Sequence, residues 1–154
     1  MKITLLILML GLLASVPAQN DWHSLSEALP LAAKQQQPVL VYVSAPWCGP
    51  CLTMEAEVFP KAAPLLARFV KARLRYDDND SRIQLGHRVL TPFEWTQHLG
   101  IEATPGFVVL DHAGNVLTQH TGYLDSKSFN LLLAFIATDA YKHASFEVYV
   151  SKHG

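Results

Sequence analysis

Cys48 and Cys51 are the only cysteines in the 154-residue chain, and just two residues separate them. A pair so placed cannot staple distant segments together. A disulfide-framework fold is therefore excluded, and the chain must hold itself by a hydrophobic core. Half of the residues are hydrophobic and 16% are charged, which suits one globular domain with such a core. The formal net charge is −1, without any block of like charge, so no basic surface for nucleic acid is expected. What the pair offers is chemistry: it can close on itself, attack the disulfide of another protein, or bind a metal through two soft thiolates.

Residues 1–18 read as a secretory signal. Lys2 is the charged start, residues 3–16 are uncharged and mostly apolar, and Val16-Pro17-Ala18 puts small residues at the −3 and −1 positions of a cleavage site. An uncleaved membrane anchor would need ~20 apolar residues, more than this run supplies. The expected division is a signal peptide over 1–18 and one domain over 19–154. Without a cysteine at the cleavage site, no lipoprotein is expected. In an oxidising compartment, such a dithiol must either be kept reduced by a partner or serve as an oxidant.

Trp22, Leu25, Leu29 and Ala32 fall near helical spacing and predict an amphipathic helix over 21–37, ended by Pro38. Val39-Leu40-Val41-Tyr42-Val43 is nearly all apolar, the mark of a strand buried on both faces. Ser44-Ala45-Pro46 turns the chain. The two cysteines then open a helix to about Phe59, bent or restarted by Pro60 and Pro64 and continuing to about Lys71. A second strand is expected over 74–77. Ile83-Gln84-Leu85 and Arg88-Val89-Leu90 flank Gly86-His87 as a small hairpin. Thr91-Pro92-Phe93-Glu94 is a capping box with proline at the first helical position, so a short helix runs to about Leu99 and stops at Gly100. Strands over 107–110 and 116–120 join through a glycine-containing turn. Asp125 caps a last helix over 126–141, with Phe129, Leu132, Leu133 and Ile136 on one face. The tail, 142–154, is either a packed helix or a loose end. The order α-β-α-β-α-β-β-α is that of an α/β domain.

Trp47-Cys48-Gly49-Pro50-Cys51 after a buried strand, Thr104-Pro105 before a β-hairpin, and Gly122 between the last strand and last helix resemble the thioredoxin superfamily over residues 21–141. Cys51-Leu52-Thr53-Met54-Glu55 followed by Val58-Phe59 is similar to exported thioredoxin-like proteins and to the catalytic domains of thiol-disulfide interchange proteins. The long stretch before Thr104 and the tail aromatics Tyr141, Phe146 and Tyr149 resemble periplasmic thioredoxins associated with bacterial sulfur oxidation. This resemblance implies a thioredoxin fold, a central mixed β-sheet flanked by helices, with residues 78–100 holding an insert before the Thr-Pro loop. It further implies a periplasmic protein-disulfide reductase with no cofactor beyond a redox-active Cys48–Cys51 disulfide. Its partners would be disulfide-bearing exported proteins and a membrane thiol-disulfide electron donor, and no feature asks for more than a monomer.

At a helix N-terminus, unpaired N–H groups and the helix dipole favour negative charge. Cys48 is therefore the expected nucleophile, with a pKa below the free-cysteine value of ~8.5, and Cys51, one turn further in, the resolving thiol. Pro50 fixes φ in the first turn, and the stiff Gly49-Pro50 spacer holds the two sulfurs at a set separation, which favours a reducing couple. Trp47 would shield one side of the site, or else be an ordinary core tryptophan. The resemblance implies a cis peptide at Thr104-Pro105, with the Thr104 backbone available to an extended substrate strand; the alternative is an ordinary loop proline. In one place the sequence departs from the family. The buried carboxylate expected six residues before Cys48 is replaced by Tyr42, a poor base with a reference pKa of ~10. Glu55, four residues after Cys51 on the same helix face, is the candidate to handle the proton of Cys51, unless it is a solvated surface glutamate.

Two other functions use the same cysteines. One is a disulfide-forming oxidant, although the spacers of such proteins usually differ from Gly-Pro. The other is a copper(I) chaperone, with Met54 as an added soft ligand rather than a core methionine. The seven histidines share no short ligand spacing, so no built-in metal site is expected. Asp77, Asp78 and Asp80 read as a solvated turn. The insert is either a determinant of partner choice or a surface excursion.

Overall fold

A computed structural model describes residues 22–154; the expected signal segment, 1–18, lies outside them. Helix α1 spans Leu25–Gln35. It starts later than the apolar spacing suggests, because Ser24 forms a complete capping box with Glu27. The residues ahead of it are extended instead: the His23 N–H donates to Lys71 O and Arg73 N–H donates to His23 O, both at 2.9 Å. Strand β1, Val39–Ser44, is buried along its whole length. Helix α2 covers Gly49–Thr53 and passes into a π turn over Met54–Val58. This wider turn stands directly before Pro60, whose missing N–H cannot close a regular bond to Ala56.

Two short helices follow, α3 over Phe59–Lys61 and α4 over Ala63–Leu66, and the chain then becomes strand β2 at Val70–Arg75. This corrects the sequence reading, which carried the helix to Lys71 and placed the strand at 74–77. Pro60 and Pro64 restart the helix rather than bend it. Residues 70–74 alternate between buried and half-buried, the pattern of a strand with one face on the core. The hairpin forms as expected, with β3 over Ile83–Leu85 and β4 over Arg88–Leu90. Helix α5, Pro92–His98, carries the complete capping box of Thr91 and Glu94.

Strands β5, Gly106–Leu110, and β6, Val116–Thr121, complete a four-stranded sheet in the order β2-β1-β5-β6. β1 runs parallel to β2 and antiparallel to β5, and β5 is antiparallel to β6, so the sheet is mixed. Helix α6, Ser126–Ala137, is capped by Asp125 and ends earlier than the apolar pattern suggests. Asp139, in the left-handed region at φ 60°, turns the chain away there. The tail is a packed helix: α7, Phe146–His153, brings Phe146 and Tyr149 each to 5.3 Å from the Phe135 ring.

The alternation of β1 divides the interior in two. Leu40 and Tyr42 face a core with Met54, Phe59, Phe107, Phe129 and Leu133. Val39, Val41 and Val43 face a second core with Leu25, Trp95, Ile101 and Val108. Each large side chain so buried contributes ~1.5–3 kcal/mol. Ile83 of the insert is buried in the second core, so the insert is fastened to the domain rather than loose. Cap hydrogen bonds involving Ser24, Thr91 and Ser128 hold the Glu27, Glu94 and Asp125 carboxyls below their ordinary range. Their contribution is present at neutral pH and is lost as pH falls through those lowered values. Among the described residues, no helix is long and apolar enough to cross a membrane.

Candidate active site

β1 delivers the chain to one end of the sheet at Ser44. A turn closed by Cys48 N–H donating to Ala45 O at 3.1 Å then makes Cys48 the N-cap of α2. The Cys48 side chain caps the helix itself: its Sγ accepts from the Cys51 N–H at 3.1 Å. Cys48 and Cys51 form a disulfide with their Cα atoms 5.2 Å apart, and both are buried. Pro50 occupies the first turn, where its absent N–H leaves nothing unsatisfied. Trp47 is 67% exposed beside them, which corrects the alternative of a core tryptophan, and Leu52 is exposed on the following turn. Such exposure of large apolar side chains around a buried disulfide is suited to contact with another chain.

The Thr104–Pro105 peptide is cis. The pairing of Val43 with Gly106 brings this loop to the same end of the sheet as the Cys48 turn. Pro105 is buried, and its carbonyl accepts from Gly122 N–H at 2.8 Å. Gly122 has φ +106°, a conformation that side chains rarely adopt. Thr104 stands just outside β5, half-buried, and among the described residues its N–H and C=O have no backbone hydrogen-bond partner.

Behind the disulfide lies a cluster that the sequence indicated only in part. Tyr42 is fully buried, and its hydroxyl is 3.3 Å from both Cys51 O and Glu55 Oε1. Burial, and next the negative charge of Glu55, push the Tyr42 hydroxyl well above its ordinary pKa, so it acts as a donor and not as a base. Glu55 Oε1 also pairs with Arg73 Nη1 at 3.2 Å. The Arg73 guanidinium lies over the rings of Tyr42 and Trp22, 5.3 and 5.8 Å from their centroids. Glu55 is thus neither buried nor freely solvated, and the Tyr42 hydroxyl stands between its carboxylate and the backbone carbonyl of Cys51. Arg73 was missed in the sequence because the strand that carries it was set too late. Its place opposite Tyr42 is a matter of register between β1 and β2.

Met54 is fully buried in the first core, the packing role rather than the ligand role. Among the described residues, no three His, Cys, Asp or Glu side chains come together as a metal-holding group. The acidic stretch is a turn: Asp77 pairs with Arg75 at 2.6 Å, and Asp78 Oδ1 accepts the Asp80 and Ser81 N–H groups at 2.9 Å.

The family model of the thioredoxin-like domain matches residues 25–137. The chain belongs to that family. Its fold is the thioredoxin fold. A thioredoxin from Thermus thermophilus aligns with a TM-score of 0.62 and 26% identity, covering 77% of this chain and 87% of that one. A thioredoxin-fold protein from Helicobacter pylori also gives 0.62, at 15% identity, covering 77% of this chain and 84% of its own. A DsbH oxidoreductase gives 0.56 at 14% identity, covering 80% and 85% of the two chains. No curated protein matches the sequence.

Proposed function

We propose that this protein is an exported thiol-disulfide oxidoreductase that reduces protein disulfides, with Cys48 as nucleophile and Cys51 as resolving thiol. The carrying observation is Cys48 at the N-cap of α2 in a disulfide with Cys51, beside the cis Thr104–Pro105 loop. In the reduced form, helix N–H groups stabilise the Cys48 thiolate. It attacks one sulfur of a substrate disulfide; that bond breaks, and the second substrate sulfur leaves as a thiolate and takes a proton. Cys51 then loses its proton and attacks Cys48 Sγ. The mixed disulfide breaks, the substrate leaves with two thiols, and Cys48–Cys51 remains oxidised. Two electrons from a membrane thiol-disulfide donor restore the dithiol. The N–H and C=O of Thr104 would pair with the substrate strand, while Trp47 and Leu52 supply apolar contact. The periplasm, cleavage of 1–18 and the narrower sulfur-oxidation type rest on the sequence of 1–18, the insert and the aromatic tail.

Catalysed reduction of insulin under a supplied reductant tests this reading. Stoichiometric tight copper(I) binding without disulfide turnover would favour the chaperone instead. Glu55 is assigned the proton of Cys51, through water. In Glu55→Gln the acceptor is lost, so resolution of the mixed disulfide should slow by about 10²-fold. Loss of its negative charge should also lower the Cys51 pKa. Stopped-flow resolution rates and thiol titration check both; unchanged values would remove Glu55 from the mechanism.

A further inference from the structure

We infer that Tyr76 is a positioning residue through which the insert sets the affinity of the site for protein disulfides. The inference rests on the reductase reading above. The segment leading into Thr104 is held by side chains from three directions. Leu99 O accepts from Gln119 Nε2, Gly100 O accepts from Thr121 Oγ1 at 3.5 Å, and Glu102 O accepts from the Tyr76 hydroxyl at 3.2 Å. Between them Ile101 is fully buried, its N–H donating to Thr96 O at 2.9 Å.

Of these contacts, Tyr76 joins the two halves of the site. It follows β2 directly, and its N–H donates to Ser44 O at 2.9 Å, at the end of the strand that leads to Cys48. Its hydroxyl reaches the carbonyl two residues before Thr104. One side chain therefore spans from the strand before the disulfide to the loop that would receive the substrate. The insert in turn holds Tyr76. Gln97 Nε2 donates to the Tyr76 hydroxyl at 3.1 Å, and Phe93 packs edge-on against its ring at 5.7 Å. Phe93 and Gln97 both belong to α5, which is fastened below by Phe93 N–H donating to Asp78 O at 3.2 Å. Orientation of α5 is thereby coupled to the height of the Thr104 backbone. A substrate that pairs with that backbone feels this setting. A small disulfide, attacked by Cys48 without strand pairing, does not.

Tyr76→Phe removes the hydroxyl and keeps the ring on Phe93. It should raise KM for insulin about three- to tenfold, the worth of one neutral hydrogen bond. kcat, the Cys48–Cys51 potential and the rate with hydroxyethyl disulfide should stay as in the wild type. Gln97→Ala, an exposed change that cannot disturb the core, should move KM in the same direction by less. An unchanged insulin KM in both variants overturns the inference while leaving the reductase reading intact. An equal loss with hydroxyethyl disulfide also overturns it, because Tyr76 would then support the fold and not substrate placement. A wild-type protein that reduces neither substrate would overturn the reductase reading and this inference with it.

Discussion

Replacing Cys51 by serine is expected to turn a catalytic cycle into a single covalent event. Cys48 keeps its place at the N-cap of α2 and still attacks a substrate disulfide, since the helix N–H groups that favour its thiolate belong to the backbone. The thiol that would break the mixed disulfide is gone. Turnover should fall by about 10³-fold or more, while a stable adduct between Cys48 and one substrate chain accumulates. Cys48→Ser should show neither turnover nor adduct. Non-reducing electrophoresis with intact-mass measurement reads both variants. An adduct in Cys48→Ser and none in Cys51→Ser would reverse the assigned roles.

The second large effect concerns the loop rather than the sulfurs. Gly106 opens β5 directly after the cis proline, and an added Cβ would meet Ile101 Cγ2 at 2.7 Å and Val43 Cβ at 3.5 Å. Ile101 is fully buried and β-branched, so moving its methyl aside costs energy. Gly106→Ala should therefore cost about 1–3 kcal/mol, as over-packing of a tight core does. The clash falls on Ile101, in the segment that leads into Thr104, so reduction of protein disulfides should suffer even where the variant is fully folded. At Gly49, by contrast, an added Cβ has nothing within 4 Å, and Gly49→Ala should leave the melting temperature unchanged. Thermal unfolding of the two variants in parallel checks the contrast, and equal melting temperatures would contradict it.

The local signals in this sequence were the readable ones. The cysteine pair, the Thr91–Glu94 capping box, the hairpin around Gly86 and the buried run of β1 each carry their instruction within a few residues. Tyr42 was recognisable as a departure from the family by its spacing from Cys48. The cation over its ring was not, because Arg73 reaches it through the register of two strands separated by three helices. The sequence reading sets that strand too late, since it carries the helix past Pro60 and Pro64 to Lys71 and the half-buried Lys71 and Arg73 mask the alternation of 70–74. Tyr76 escaped notice for a similar reason: its hydroxyl acts on a carbonyl 26 residues away. Long-range placement of polar side chains leaves no periodic trace in a sequence, whereas caps and buried strands do.

The direction of electron flow is the central claim, and the midpoint potential of the Cys48–Cys51 couple tests it most directly. Equilibration against a thiol-disulfide buffer of known composition, read by thiol alkylation, gives the value. A midpoint near the thioredoxin value of about −270 mV is expected, the mark of a reductant that needs an electron supply. A midpoint near about −120 mV would contradict it and make the protein a donor of disulfides.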